Sequence, residues 1–170
     1  MSRFLAVVFL LALSGCGFHL RNALTLPPDL GPVRVEAQDR YSPLADSLAQ
    51  ALARAGAQPA AAGAEGVATL RILSERWGDT PIAIDQFGRA QEYSLRHAVV
   101  FEFVAADGRE IVPRQAVELA RDYIASPQQL TGTEGEREIL ARELRREMAA
   151  AILRRVDAAI RNPAQPGAAP

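Results

Sequence analysis

Residues 93–103 read YSLRHAVVFEF and contain the clearest strand pattern in the chain. Apolar side chains and His97 occupy every second position, while Ser94, Arg96 and Glu102 lie between them. A period of two residues is typical of a β-strand with one buried face. We therefore predict a half-buried strand with His97 on its buried side. A hydrogen-bonded core histidine is the favoured interpretation of His97, and a metal ligand is the alternative.

The sequence after this stretch predicts a second strand paired with it. Asp107-Gly108 is a strong hairpin-turn signal, and residues 111–123 follow as the returning strand. Pro113 cannot donate a backbone hydrogen bond, so the beginning of that strand is predicted to lie at an edge or a bulge.

The sequence before the stretch predicts two more strands. Residues 67–77 form one of them, and residues 79–88 are expected to extend this hairpin before the chain reverses. Residues 33–36 alternate apolar with charged side chains and form a short strand. Trp77, the sole tryptophan, is interpreted as a half-buried packing residue, with an interface anchor as the alternative.

Two segments have helical periodicity. Ser42-Pro43 begins the first with a serine N-cap, and Gly56 ends it. Residues 133–136, Thr-Glu-Gly-Glu, match a capping box that opens a second, long helix. Its apolar stripe has members four residues apart: Leu140, Leu144, Met148, Ile152, Val156 and Ile160. Its arginines alternate with glutamates and are interpreted as a solvated, ion-paired face: Arg137, Arg142, Arg145 and Arg146.

The predicted order of elements is β-α-β-β-β-α, which indicates an α+β fold. We predict a two-layer sandwich, in which a four-stranded mixed sheet carries two helices on one face. Residues 58–66 are rich in alanine and glycine and are expected to form a link without core content. The other face of the sheet is then partly uncovered and suits water or a polar partner; it is lined by Ser94, Arg96, Glu102, Glu118 and Asp122.

The amino terminus has the features of a secretory signal peptide. Arg3 supplies a positive charge, and residues 4–13 are apolar or small, too few for a transmembrane helix of about 20 residues. Residues 13–16, Leu-Ser-Gly-Cys, resemble the lipobox, in which a leucine and two small residues precede a modified cysteine. The resemblance implies cleavage after Gly15, with a diacylglyceryl group on the sulfur and an N-acyl chain on the amine of Cys16. An ordinary signal peptide with a chance cysteine is the alternative.

The residue after the cysteine bears on sorting. Gly17 stands where an aspartate would retain a Gram-negative lipoprotein at the inner membrane, so the resemblance to these sorting rules favours the outer membrane. The chain thus divides into a lipoprotein signal peptide (1–15), a lipidated tether (16–32), one α/β domain (33–161) and a disordered tail (162–170).

Composition and motifs exclude several functional classes. The 170 residues carry a net charge of −1, which provides no basic field for nucleic acid. The motifs Gly-x-Ser-x-Gly and His-Glu-x-x-His are absent. His19 and His97 are far apart and Cys16 is predicted to be acylated, so no metal site is expected. Asp79 and Asp85 are interpreted as turn residues rather than as paired catalytic carboxylates. We predict no enzyme activity and no cofactor besides the acyl chains.

Several short motifs resemble the LptE family of LPS-assembly lipoproteins. The similarity extends from Cys16 to Arg161. The motifs that carry it are Cys16-Gly17-Phe18-His19-Leu20-Arg21, Leu26-Pro27, Gln91-Glu92-Tyr93 and Arg121-Asp122-Tyr123 ahead of Pro127. The resemblance implies a non-enzymatic protein that lies inside the outer-membrane barrel LptD, helps it fold, binds lipopolysaccharide and assists its delivery to the cell surface. Two alternatives are a stand-alone envelope lipoprotein that binds a small ligand or peptidoglycan, and an accessory subunit of another envelope machine.

The resemblance also implies a site for lipopolysaccharide phosphates. The loop Phe87-Gly88-Arg89 corresponds to a family loop with a basic residue, so Arg89 is the predicted phosphate contact and Arg96 a secondary one. The sequence departs from the family in one respect, because no basic residue lies between Arg121 and Arg137. The loop before the last helix therefore supplies no second cation.

Overall fold

The computed structural model describes residues 26–27, 30–125 and 130–162. Cys16, His19, the predicted signal peptide and residues 163–170 of the predicted tail lie outside the described residues. We number the elements in chain order: β1 Pro32–Ala37, α1 Pro43–Arg54, β2 Gln58–Pro59, β3 Ala68–Ile84, β4 Ala90–Val104, β5 Glu110–Ile124 and α2 Leu130–Arg161. The predicted order is confirmed, with one short strand added.

The sheet is mixed, with strand order β2-β1-β3-β4-β5. Strand β1 runs parallel to β2 and β3, whereas β3, β4 and β5 form an antiparallel meander. The α+β class is confirmed, but the prediction of four strands is wrong by one. Gln58–Pro59 pairs with the start of β1, and the Ala60 N–H donates to the Val33 carbonyl at 3.0 Å. This strand is exposed and only two residues long, so it has no hydrophobic period that sequence reasoning could detect.

Strand β3 extends beyond its predicted end at Trp77 and continues to Ile84. The added part pairs with β4, with Asp79 opposite Leu95 and Pro81 opposite Tyr93, as the predicted extension of the hairpin requires. Strand β1 pairs with β3 only as far as Ile72. Beyond that residue the sheet narrows to β3, β4 and β5, which pack on α2 through Leu95, Tyr123 and Leu144 before the β3–β4 hairpin continues to its exposed tip.

Both helices lie on one face of the sheet, as predicted. Residues of α1, α2 and the strands form one buried cluster, because the odd-numbered side chains of β4 point towards the helices. Burying each large apolar side chain contributes roughly 1.5–3 kcal/mol to stability. The central members of the cluster are Leu44, Leu48 and Leu52 of α1, Leu70, Phe101 and Phe103 of the sheet, and Met148, Ile152 and Val156 of α2.

The helix starts agree with the sequence in one case and differ in the other. Ser42 is the N-cap of α1, since its hydroxyl accepts a hydrogen bond from the Ala45 N–H at 3.2 Å. Helix α2, however, begins at Leu130, so the predicted capping box at residues 133–136 lies inside it. A capping-box pattern marks a start only where the backbone leaves the helical conformation. No proline lies between Pro127 and that box to force such a break.

Candidate functional site

The predicted phosphate contact lies at the tip of the β3–β4 hairpin. The Asp85 N–H donates to the Arg89 carbonyl at 2.8 Å, and the Gly88 N–H donates to the Asp85 carbonyl at 3.0 Å. Gly88 has φ +76°, a left-handed conformation that glycine adopts without a steric penalty. The β4–β5 turn repeats this geometry with Gly108 at φ +86°, which confirms the predicted turn there.

Asp85 organises the tip through its side chain. One carboxylate oxygen accepts hydrogen bonds from the backbone N–H groups of Phe87 and Arg89, at 2.8 and 2.9 Å. The other oxygen accepts from the side chains of Arg89 at 2.8 Å and Gln91 at 3.2 Å. The hydrogen bond from the Arg89 backbone, together with those from the Arg89 side chain and the Phe87 backbone, holds the pKa of Asp85 below its usual value. The prediction that Asp85 is a turn residue agrees with this geometry.

Arg89 is exposed, yet its position is fixed. Its Nε donates to Asp85, and its guanidinium carbon lies 5.2 Å from the centroid of the Phe87 ring. Among the described residues, the guanidinium has no other ion-pair partner, so its terminal amino groups are available to an anion. Phe87 and Ile84 are about 70% exposed beside it. The tip therefore presents a cation among apolar side chains.

Arg96 lies in a different environment. It belongs to β4 on the uncovered face of the sheet, where it forms an ion pair with Glu118 of β5, and its Nε donates to that carboxylate at 2.6 Å. It lies seven positions after Arg89 along extended chain, a distance of about 20 Å. The structure thus does not bring the two predicted contacts into one site.

The uncovered face is polar, as predicted, and ion pairs cross it. Arg71 of β3 lies 3.1 Å from Glu102 of β4 and 3.7 Å from Glu36 of β1, and Arg96 is paired with Glu118. No described element covers these side chains. Because cations and carboxylates alternate across neighbouring strands, the face has no single sign of charge.

An unpredicted cluster connects the hairpin to α2. The Asp79 carboxylate of β3 accepts hydrogen bonds from two N–H groups of the Arg137 guanidinium of α2, Nη2 at 2.9 Å and Nε at 3.2 Å. The Tyr123 hydroxyl of β5 donates to the same carboxylate at 3.0 Å. Burial, together with the hydrogen bond to Asp79, raises the pKa of Tyr123 to about 12. Sequence reasoning treated Asp79 as a turn residue and Arg137 as part of a solvated face, because a contact across 58 residues leaves no local pattern.

A second polar cluster lies beneath the helices. His97 is fully buried, and its Nε2 lies 2.9 Å from Glu75 of β3, which confirms a hydrogen-bonded core histidine. Glu75 also accepts hydrogen bonds from the Ser42 hydroxyl at 2.9 Å and the Trp77 indole N–H at 3.4 Å. Burial raises the pKa of Glu75, but these hydrogen bonds outweigh it and hold the pKa below its usual value. Trp77 is half-buried as predicted, whereas Glu75 carried no signal in the sequence.

The described part of the chain has neither a group of metal ligands nor a membrane-spanning helix. Within residues 26–27, 30–125 and 130–162, no three histidine, cysteine, aspartate or glutamate side chains are grouped to hold a metal ion. Among the helices described there, none has the length and apolar character needed to cross a membrane.

Comparison with known proteins identifies a family. The family model described as LptE, Lipopolysaccharide-assembly, matches residues 30–156. The protein named LPS-assembly lipoprotein LptE from Photorhabdus laumondii is 27% identical over 146 residues, which are 86% of this chain and 79% of that protein. The protein of the same name from Yersinia pestis is 31% identical over 147 residues, which are 86% of this chain and 70% of that protein.

A solved structure has the same fold. The solution structure of lipoprotein B from Nitrosomonas europaea superposes with a TM-score of 0.67 at 22% sequence identity. The superposition covers 84% of this chain and 91% of that protein. At this level of identity the likeness concerns the fold.

Proposed function

The chain belongs to the LptE lipopolysaccharide-assembly family, whose members are non-enzymatic lipoproteins, and we propose that it plugs and helps assemble the outer-membrane barrel LptD. In this role it assists the delivery of lipopolysaccharide to the cell surface. Family membership carries the proposal. The structure adds a physical reason, because the lumen of a large outer-membrane barrel is polar and a plug needs polar surface on several sides.

The uncovered sheet face is the surface that best fits such a lumen. Its ion pairs, Arg71 with Glu102 and Arg96 with Glu118, are solvent-exposed and can exchange partners at low energetic cost. The test of assembly is the folded fraction of LptD in cells with and without this chain, read from the heat-dependent mobility of the barrel in gels. We expect folded LptD to fall severalfold on depletion. An unchanged folded fraction would contradict the role in assembly.

The membrane attachment belongs to the same proposal. Cleavage before Cys16, a diacylglyceryl group on its sulfur and an acyl chain on its amine would hold the domain on the periplasmic side of the outer membrane. A single acyl chain binds only marginally, whereas several chains anchor stably. In fractionated envelopes we expect the chain in the outer membrane, with a mass that starts at Cys16 and includes the acyl groups. A chain with an unmodified Cys16, or with a different processed start, would rule out this anchor.

Arg89 is the proposed contact for a lipopolysaccharide phosphate. Asp85 fixes its Nε, its terminal amino groups face solvent, and Phe87 and Ile84 offer apolar surface for acyl chains beside the charge. Arg96 is a secondary contact, which would have to exchange Glu118 for the phosphate.

A matched pair of variants tests this contact. Arg89→Glu should weaken lipopolysaccharide binding by about tenfold or more, because it replaces attraction with repulsion. Arg109→Glu is the control, since Arg109 occupies the same position of the β4–β5 turn and is equally exposed. Equal affinities of the two variants would remove Arg89 from the site without affecting the proposed role in barrel assembly.

A further inference from the structure

Among the described residues, strand β5 forms one edge of the sheet, and its second half lacks the proline and the register shifts that hinder pairing at the other free edge. Pro113 and the register shifts with β4 lie near its start. From Gln115 to Ile124 its pairing with β4 is continuous. The other long free edge, β3 beyond Ile72, contains Pro81 and several register shifts. Proline and bulges are devices that keep sheet edges from pairing, so the second half of β5 stands out as an open edge.

The hydrogen bonds of β5 identify which backbone groups face outward. The Ala125 N–H donates to the Gln91 carbonyl of β4 at 2.9 Å, in the register of the whole β4–β5 ladder. Alternate residues of a strand point their N–H and C=O groups to opposite sides, so the odd-numbered residues bond to β4. The outward carbonyl of Ala120 agrees, because it accepts a hydrogen bond from the side chain of Arg121 at 3.1 Å. The even-numbered residues from Ala116 to Ile124 therefore present both backbone groups at the free edge.

The side chains of these even-numbered residues have a defined chemistry. Glu118 and Asp122 are exposed acids on the uncovered face, and Ala116 and Ala120 alternate with them. Asp122 has no ion-pair partner among the described residues, and Glu118 is shared with the exposed Arg96. The edge thus offers two carboxylates four residues apart, separated by small side chains that leave room for larger ones opposite.

We propose that the second half of β5 binds an extended segment of another protein, which adds to the sheet as an antiparallel strand. Backbone hydrogen bonds to the even-numbered residues would provide affinity, and basic side chains four residues apart, opposite Glu118 and Asp122, would provide specificity. A second copy of this chain fits less well. The even-numbered positions of β5 hold three carboxylates, Glu110, Glu118 and Asp122, and one cation, Arg114, so two β5 edges would bring together an excess of like charge. The inference rests on the strand edge and holds whichever protein supplies the segment.

The test uses the full chain in detergent and a synthetic peptide of alternating threonine and valine with two lysines four residues apart. Amide hydrogen exchange is measured by NMR with and without the peptide. We expect the N–H groups of Glu118, Ala120 and Asp122 to exchange about tenfold or more slowly with peptide bound, while those of Leu119 and Arg121 stay unchanged. This alternation distinguishes strand addition from charge attraction, which would not select even-numbered amides.

Two comparisons complete the test. A peptide with glutamates in place of the lysines should give no protection. Ala120→Pro should abolish binding, because it removes an outward N–H without breaking the β4–β5 ladder, whereas Ala120→Val should bind like the parent. If Ala120→Pro does not fold, two peptide series replace it, one N-methylated at the odd and the other at the even positions. Only the series whose N-methyl groups point towards β5 should fail to bind. Absent or non-alternating protection, or equal binding of the glutamate peptide, would overturn the proposal. So would protection that appears on raising the protein concentration without peptide, because it would report pairing with a second copy.

Discussion

The indole ring of Trp77 stacks on the imidazole ring of His97, with ring centroids 3.8 Å apart and planes inclined by 9°. The guanidinium carbon of Arg145 in α2 lies 5.6 Å from the centroid of the same indole. Glu75 bonds to both rings and to Ser42, the N-cap of α1. One polar cluster thus joins both helices to β3 and β4, and the Glu75 carboxylate is the common partner of Ser42, Trp77 and His97.

Replacement of Glu75 should destabilise the fold, because it leaves polar groups of this cluster without a hydrogen-bond partner. Glu75→Leu removes the partner of the fully buried His97 and should lower the free energy of unfolding by about 1–3 kcal/mol. Glu75→Gln keeps an oxygen acceptor and should lose less. Urea unfolding of both variants measures the difference. Glu75→Leu as stable as the parent would show that the cluster does not support the fold.

Acid should weaken the fold partly through Glu75. Its folded-state pKa lies below the ordinary 4.5, so its contribution is present above pH 4.5 and is lost as the pH falls through the folded-state pKa. Below pH 4.5, the parent should therefore lose more stability than Glu75→Gln, which has no carboxyl to protonate. Unfolding curves at several pH values between 3 and 7 measure this. Parallel pH profiles would contradict it.

The Asp79–Arg137 pair should hold the first part of α2 against the β3–β4 hairpin. Arg137→Gln loses a two-bond contact that is about one-third exposed, and should cost roughly 1 kcal/mol. Amide exchange at residues 134–140 should accelerate, because this part of α2 loses its attachment to β3. Arg142→Gln is the control, since its pairing with Glu138 lies on the exposed face of the helix and contributes under about 0.5 kcal/mol. Equal effects of the two variants would mean that the contact between the hairpin and α2 has no special role.

The hairpin tip should depend on the backbone of Gly88. Gly88→Ala forces a side chain into a left-handed conformation, although no atom crowds the added methyl group, and should cost about 1 kcal/mol. Gly135→Ala is the control, because Gly135 lies in α2 with equally open surroundings and alanine favours helix. The midpoint of thermal unfolding should fall for Gly88→Ala and rise for Gly135→Ala. A stabilised Gly88→Ala would contradict the turn geometry.

The sequence predicted those parts of the fold that produce a local period. The alternation of residues 93–103 marked the buried side of β4, the spacing of Leu44, Leu48 and Leu52 marked the core face of α1, and Asp107-Gly108 marked a turn. Strand β2 could not be predicted, because it has only two residues and both are exposed. The start of α2 was predicted too late in the chain, because a capping-box pattern also occurs inside helices. Both errors concern places where tertiary contacts, rather than the local sequence, choose the conformation.

The candidate site was predicted less completely for a related reason. Arg89 could be nominated from its loop and His97 from its position in the alternation. Asp79 lies 58 residues from its partner Arg137, and Ser42 lies 33 residues from its partner Glu75. Charged residues at such separations are indistinguishable in sequence from ordinary surface charges. Only the three-dimensional register of β3 brings them together.

Native mass spectrometry of LptD extracted from outer membranes in mild detergent distinguishes a barrel plug from a free lipoprotein. We expect one complex that contains one LptD and one copy of this chain, starting at Cys16 and carrying the mass of its acyl groups. Recovery of the chain only as a free monomer, or bound to a different envelope protein, would contradict it.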